Sequence, residues 1–143
     1  MSTIVDNPEL LLLKRQQLRL REEKVRALKH DGLPFYKPHP KQDAFHRAGA
    51  TFKRRMVRSG NRFGKSTIGV VEDCSWLVGE RPFFPEGHEL RSKGIPEHGV
   101  KILVLSEDWD KVHDIFTNPA EGDRQGKFFT YLPKSKIVGT TRT

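Results

Sequence analysis

Cysteine is almost absent from this 143-residue chain, which contains only Cys74. A single thiol excludes an internal disulfide and a zinc site built from cysteines. The chain also lacks any apolar run near the roughly 18 residues that cross a bilayer, and its N-terminus lacks the charged-then-apolar order of a secretory signal. We therefore expect a soluble protein without a membrane partner, in which Cys74 is a buried, inert thiol.

Basic residues outnumber acidic ones, with 26 lysines and arginines against 18 aspartates and glutamates and a formal net charge of +8. This balance favours a polyanionic partner, DNA or RNA, although solvated faces of ordinary proteins are also basic. The length fits one domain that buries about two-thirds of its unfolded surface, and a second full domain does not fit.

Residues 58–67 read Arg-Ser-Gly-Asn-Arg-Phe-Gly-Lys-Ser-Thr. A phosphate-binding loop of the form G-x-x-x-x-G-K-[ST] uses glycines to curl backbone N–H groups around phosphate oxygens, a lysine for the β/γ-phosphates and a hydroxyl for Mg²⁺. Gly64, Lys65 and Ser66 fill the last positions, whereas Ser59 replaces the first glycine and Gly60 follows it. The pattern predicts a variant nucleotide loop. The alternative is a basic, glycine-containing turn between two core elements.

We predict that this loop binds ATP and Mg²⁺, with Lys65 and Arg62 in catalytic roles and the Ser66 hydroxyl as a Mg²⁺ ligand. A guanidinium in the loop can neutralise charge that develops on the γ-phosphate, as an arginine finger does. The alternative for Arg62 is an ion pair with a structural carboxylate. The predicted nucleotide-binding residues are Gln42, Ser59, Gly60, Asn61, Arg62, Phe63, Gly64, Lys65, Ser66 and Thr67.

The segments around the loop have the order that such a loop requires. Residues 54–58 predict a short strand, and residues 67–77 have the apolar content of a buried helix. Residues 100–105, Val-Lys-Ile-Leu-Val-Leu, are nearly continuous in branched apolar side chains, which is typical of a buried parallel strand. A helix that starts at the loop would direct its N-terminal N–H groups at the phosphates.

Residues 1–32 predict an amphipathic basic helix. Residues 7–9 are Asn-Pro-Glu, which provide a capping side chain, a proline at the first helical position and an acid in the first turn. Gly32 is expected to end the helix. Leucine and valine side chains share one stripe, and basic residues cover much of the remainder. We expect the stripe to pack on the domain or on a neighbouring subunit, with direct DNA contact as the alternative. The stripe is Leu11, Leu18, Val25 and Leu28.

A proline-rich connector, residues 33–42, ends at Gln42. A glutamine amide can pair with N6 and N7 of adenine, and Phe35 or Tyr36 could lie against the face of the same base. Each residue alone is more often an exposed polar or a core aromatic side chain. Their position just before a phosphate loop suggests an adenine pocket.

The second half of the chain is less regular. Residues 79–99 are rich in proline, glycine and charge and predict a long surface excursion, in which His88 and His98 are too isolated to hold a metal. Glu107 and Asp108 follow the apolar residues 100–105, the position at which an acidic Mg²⁺-binding motif follows a strand in such ATPases. We expect Asp108 instead to cap a helix that runs to about Phe116.

Pro-His-Pro-Lys-Gln-Asp-Ala-Phe-His, followed by the loop, resembles the N-terminal ATPase region of the large terminase subunit of tailed bacteriophages, over roughly residues 35–116. In that family a glutamine ahead of the loop contacts adenine, the loop often departs from the strict pattern, and an arginine stands inside it. Gln42, Lys65, Ser66 and Arg62 match those roles. The resemblance implies an α/β fold in residues 33–143: an incomplete P-loop NTPase (ASCE-type) parallel sheet flanked by helices.

The resemblance also implies a function. ATP hydrolysis would drive DNA translocation into the procapsid, in the cytoplasm of the infected bacterial host. The implied partners are double-stranded DNA, the portal protein and the small terminase subunit, and the full-length protein would form a homo-oligomeric ring. Two alternatives stay open. One is a helicase-like nucleic-acid-dependent ATPase, and the other is a non-enzymatic nucleic-acid-binding module with a vestigial loop.

No later apolar segment ends in adjacent acids, and there is no room for the nuclease domain that large terminases carry. We therefore expect the chain to be the front part of a longer protein, whether a truncated product or a fragment, with a complete small protein as the alternative. Because the acidic pair is missing, we also expect this chain alone to bind ATP weakly and to hydrolyse it little or not at all.

Overall fold

The computed structural model describes residues 8–119 and 125–138, and within them the chain consists of helices and irregular segments without a strand. A π-helical turn, His113–Thr117, extends the fourth helix, and 3₁₀ turns lie at Leu33–Phe35, Glu89–Arg91 and Lys134–Lys136. The α-helices are α1 (Pro8–His30), α2 (Pro40–Ala48), α3 (Lys65–Val78), α4 (Trp109–Val112) and α5 (Lys127–Tyr131).

The predicted α/β fold with a parallel sheet is therefore wrong for the described residues. Residues 54–58 and 100–105 form no ladder with each other or with another described segment. The side chains of Leu103 and Leu105 are 80% and 82% exposed. A strand persists only when a neighbour satisfies its backbone N–H and C=O groups and covers its apolar face. The composition of the two segments indicated a tendency to form strands. It could not indicate whether either segment has a partner strand.

The core forms around α3. Val70, Val71 and Cys74 of this helix are buried together with Leu33, which precedes α2. Burial raises the pKa of the Cys74 thiol to about 12, which keeps it protonated and unreactive, as the sequence predicts. Half-buried aromatic rings pack around this cluster: Tyr36, Phe83, Phe116, Phe128 and Tyr131.

Helix α1 has the bounds that its start and stop signals predict, but its apolar stripe is not covered. Leu11, Leu18 and Val25 are 50%, 56% and 54% exposed. The helix lies against α5, and the expected packing of the stripe on the domain does not occur for these residues. No described helix has the length and apolar content needed to cross a membrane.

Most of residues 79–99 are exposed, as expected of a surface excursion, but the segment is anchored to the core at its beginning. Arg81 is fully buried and Phe84 nearly so, and the Arg81 N–H donates to the carbonyl of Arg91 at 2.7 Å. This segment packs back onto α3. By contrast, the prediction for Asp108 is confirmed, because its carboxylate caps α4 by accepting from the N–H of Asp110 at 3.0 Å.

Candidate phosphate-binding site

The loop leads directly into the N-terminus of α3. Gly64 adopts a left-handed conformation with φ of 83°, and the first intrahelical bond runs from the Ile68 N–H to the Gly64 carbonyl at 3.0 Å. The N–H groups of Lys65, Ser66 and Thr67 precede that donor and have no acceptor within the helix. A left-handed residue followed by helical ones turns successive N–H groups toward one concavity, which suits an anion.

Glycine is required at position 64 for two reasons. Its φ is positive, a region that side chains with a Cβ rarely adopt, and a Cβ built there would lie 2.8 Å from Nε2 of Gln42. Arg62 also has a positive φ, 62°. The loop therefore turns tightly at two places just before α3.

Lys65 folds back over the loop. Its ammonium donates to the carbonyl of Ser59 at 3.0 Å, and its side chain remains exposed. The structure thus places an exposed cation beside the first N–H groups of α3. A second cation comes from α5, since Lys127 Nζ donates to Oγ1 of Thr67 at 3.1 Å. No local pattern could have indicated Lys127, because the two residues are separated by 60 positions in the chain.

Gln42 reaches the loop from α2. Its Nε2 donates to the carbonyl of Phe63 at 3.0 Å, while its Oε1 accepts from the His39 N–H at 3.1 Å and from the Tyr36 hydroxyl at 3.2 Å. Bidentate pairing with adenine uses both the oxygen and the nitrogen of the amide. Gln42 is therefore a tether for the loop in this structure, and its adenine contact stays a prediction.

The two aromatic residues proposed for the base, Phe35 and Tyr36, lie in different environments. Tyr36 packs edge-on against the rings of His46, Phe83 and Tyr131, at centroid distances of 5.5, 5.3 and 5.9 Å, and so belongs to the core. Phe35 is exposed.

The remaining loop residues face outward or line a cavity. Gly60, Asn61 and Arg62 are exposed, and the structural carboxylate that was the alternative partner of Arg62 is not found within residues 8–119 and 125–138. Ser59 and Phe63 line a cavity of about 590 Å³ between α2 and residues 52–60. The hydroxyl of Ser59 is itself buried and has no hydrogen-bond partner among the residues that the structure describes.

Sequence reasoning missed a buried ionic cluster behind the loop. Glu72 of α3 accepts from Arg81 Nη2 at 2.6 Å, from Arg55 Nη2 at 3.0 Å and from the indole N–H of Trp76 at 3.2 Å, and it lies 2.8 Å from His46 Nδ1. Burial opposes ionisation, but the hydrogen bonds from His46 and Arg81, with the charges of both arginines, outweigh it. They lower the pKa of the Glu72 carboxyl to about 2.

A signal for this cluster was present in the sequence. Glu72 follows Ile68 by four positions and precedes Ser75 by three, so it shares the buried face of α3 with both of them. An acidic residue within the buried stripe of a helix indicates a buried cation nearby, because the free-energy cost of burying an unpaired charge is high. The spacing could not identify Arg81 as that cation.

Within the described ranges, no group of three or more histidine, cysteine, aspartate or glutamate side chains could hold a metal ion. The Ser66 hydroxyl, half-buried in the first turn of α3, is the protein group that the loop pattern assigns to Mg²⁺. The residues fit a phosphate-bound Mg²⁺, which takes most of its ligands from phosphate and water, better than an ion held by the protein alone.

Comparison with protein-family models, curated proteins and solved structures finds no match for this chain. The resemblance to terminases therefore rests on four residues of this chain, Gln42, Arg62, Lys65 and Ser66.

Proposed function

We propose that this chain is the ATP-binding part of a viral DNA-packaging terminase large subunit. The observation that carries the proposal is the left-handed Gly64 at the N-terminus of α3, with Lys65 folded back across the loop to the carbonyl of Ser59. Together they bring one lysine ammonium close to the first N–H groups of α3, which have no acceptor within the helix.

Arg62 and the residues of the first turn of α3 have roles in this proposal. The N–H groups of Lys65 to Thr67 donate to phosphate oxygens, and the Lys65 ammonium exchanges the Ser59 carbonyl for the β/γ-phosphates. The exposed Arg62 guanidinium is free to approach the γ-phosphate. Mg²⁺ would add positive charge beside the phosphates, and the Ser66 hydroxyl would be its protein ligand.

The basic surface supports the proposed partners. Exposed cations on α1 suit the phosphates of double-stranded DNA, which such a motor contacts without reading sequence. The portal protein, the small terminase subunit and a ring of subunits complete the proposed assembly, in the cytoplasm of the infected bacterium. The exposed cations of α1 are Lys14, Arg15, Arg19, Arg21, Lys24 and Arg26.

Calorimetric titration of Mg-ATP tests the proposal with a matched pair of variants. Lys65→Ala and Lys53→Ala each remove one exposed lysine, but only Lys65 contacts the loop carbonyl. We expect the wild-type chain and Lys53→Ala to bind with similar affinity, and Lys65→Ala to bind at least about tenfold more weakly, since a hydrogen bond to a charged group contributes ~1.5–3 kcal/mol. Equal loss in both lysine variants, or no binding to the wild type, would contradict it.

One observation favours a second candidate, a nucleic-acid-binding module that does not use nucleotide. The cations and leucines between residues 10 and 26 of α1 are exposed, whereas the described part of the chain has no sheet behind the loop. This candidate predicts DNA affinity whose logarithm falls by about 0.9 per phosphate contact for each tenfold rise in salt. It also predicts that Mg-ATP and Lys65→Ala leave that affinity unchanged.

A further inference from the structure

A continuous chain of polar contacts joins the buried centre of α3 to the loop. Glu72 Oε2 lies 2.8 Å from His46 Nδ1, and His46 Nε2 lies 3.3 Å from the Tyr36 hydroxyl. The Tyr36 hydroxyl donates to Gln42 Oε1 at 3.2 Å, and Gln42 Nε2 donates to the carbonyl of Phe63 at 3.0 Å. We refer to Glu72, His46, Tyr36 and Gln42 as the relay.

The direction of the last two bonds follows from their partners. A carbonyl can only accept, so the nitrogen of the Gln42 amide must face Phe63. A backbone N–H can only donate, so the amide oxygen must face His39. Tyr36 approaches that same oxygen and therefore donates its single hydroxyl hydrogen to it. The orientation of the amide is thus set from three sides.

The far end of the relay is rigid. His46 is fully buried, with its ring against Tyr36, Phe45 and Phe83 at centroid distances of 5.5, 5.8 and 4.9 Å. Glu72 is fixed by the bonds from Arg55, Arg81 and Trp76 described above. Buried groups with every polar atom engaged have few alternative rotamers. The relay therefore extends from a fixed cluster to an exposed loop.

The contact with Phe63 has a consequence for the neighbouring amide. The peptide bond between Phe63 and Gly64 is planar and trans, so its C=O and N–H point in opposite directions. When Gln42 holds the carbonyl of Phe63, the N–H of Gly64 is directed away from Gln42. The conformation of the loop just before α3 is set in this way by a side chain of α2.

We propose that Tyr36 is a positioning residue for the loop: with His46 and Glu72 behind it, it orients the Gln42 amide, and Gln42 in turn fixes the peptide that enters α3. The effect on phosphate binding rests on the proposed function, whereas the effect on the loop does not. Tyr36 touches no phosphate in this account and acts only through Gln42.

Tyr36→Phe and Tyr131→Phe make a matched pair that tests this inference. Both remove one hydroxyl from the same aromatic cluster and keep the ring, but only Tyr36 donates to Gln42. Hydrogen–deuterium exchange of the amides in residues 59–64 is the readout. We expect Tyr36→Phe to speed that exchange about 2- to 10-fold, the factor that corresponds to one net hydrogen bond. Tyr131→Phe should leave it unchanged.

A double substitution separates positioning from general destabilisation. If Tyr36 acts only through Gln42, adding Tyr36→Phe to Gln42→Ala changes loop exchange no further. Additive effects, or equal effects of Tyr36→Phe and Tyr131→Phe, would overturn the inference.

Titration of the same variants with Mg-ATP distinguishes the two proposals. Faster loop exchange in Tyr36→Phe together with no Mg-ATP binding to the wild type would support the positioning role and contradict the proposed function. Lys65-dependent binding of Mg-ATP, with loop exchange and affinity unaffected by Tyr36→Phe, would support the function and overturn the positioning role.

Discussion

Helices α1 and α3 had equally clear signals in the sequence but occupy opposite environments. The sequence predicts both, and the structure contains both, with 23 and 14 residues. Three successive apolar positions of α1, each one heptad apart, are about half exposed, whereas the apolar face of α3 is buried and carries Glu72. The local sequence pattern predicts that a helix forms. Whether its apolar face is buried depends on another segment that packs against it.

The difference shows where stability resides in this molecule. Around α3, a buried carboxylate joins side chains from α2, from residues 53–58 and from the segment after the helix. No comparable set of contacts surrounds the described side chains of α1. We therefore expect substitutions to matter strongly at α3 and little at α1.

The largest effect is expected at the centre of α3. Glu72→Gln removes the charge that compensates the fully buried Arg81, and breaking a buried pair on one side typically costs ~3–5 kcal/mol. Thermal unfolding followed by circular dichroism should show a midpoint lowered by about 10 °C or more. The half-exposed pair of Glu80 and Arg91 provides the control, because Glu80→Gln should shift the midpoint by only a few degrees. Similar shifts of the thermal midpoint in Glu72→Gln and Glu80→Gln would contradict the expected difference between the two ion pairs.

The next effect concerns the entry to α3. Gly64→Ala and Gly79→Ala place a Cβ on left-handed residues at the two ends of this helix, but only the Cβ at position 64 meets a neighbour, Nε2 of Gln42 at 2.8 Å. We expect Gly79→Ala to cost ~1–2 kcal/mol from backbone strain alone, and Gly64→Ala to cost more and to weaken Mg-ATP binding as well. Chemical denaturation and calorimetry measure the two quantities. Equal stabilities and affinities would contradict the tether between Gln42 and the loop.

A smaller, pH-dependent effect is expected at Asp73, beside Glu72. Burial, and then the charge of Glu72, raise the pKa of this carboxyl to about 6, with Arg55 opposing. The folded chain then binds more protons than the unfolded one between about pH 4 and 6, so Asp73 lowers stability as the pH rises through that window. Asp73→Asn should raise the thermal midpoint at pH 7.5 more than at pH 4. An equal shift at both values would contradict the assignment.

The smallest effect is expected on α1. Leu18→Gln changes an exposed side chain and should alter the free energy of unfolding by no more than about 0.5 kcal/mol. Val71→Ala in α3 removes fully buried methyl groups and should cost ~1–3 kcal/mol. A large loss of stability in Leu18→Gln would mean that the stripe of α1 is covered in solution, as the expected packing on a neighbouring subunit predicts.

The features that the sequence predicted correctly are local ones. The bounds of α1, the helix after the loop, the buried thiol of Cys74 and the cap at Asp108 each depend on residues within a few positions of one another. The left-handed glycine before α3 belongs to the same class, since the loop pattern itself contains Gly64.

The features that the sequence mispredicted or missed depend on distant partners. The apolar residues 100–105 have the composition of a strand, but a strand needs a neighbour that composition cannot name. Arg81 lies in a segment whose prolines and glycines suggested a surface position, yet its charge is compensated by Glu72 nine positions earlier. The contact of Lys127 with Thr67 spans 60 positions. Contacts between residues so far apart in the chain can be identified only from the folded structure.

The most direct test of the account is to locate the phosphate on the chain by amide chemical shifts of the ¹⁵N-labelled protein. Inorganic tripolyphosphate and Mg-ATP would be added in turn. We predict that the largest shifts occur at the N–H groups of residues 64–67, and that Lys65→Ala abolishes them. Shifts confined to the basic face of α1, or no shifts at residues 64–67, would contradict the claim that this loop is a phosphate site.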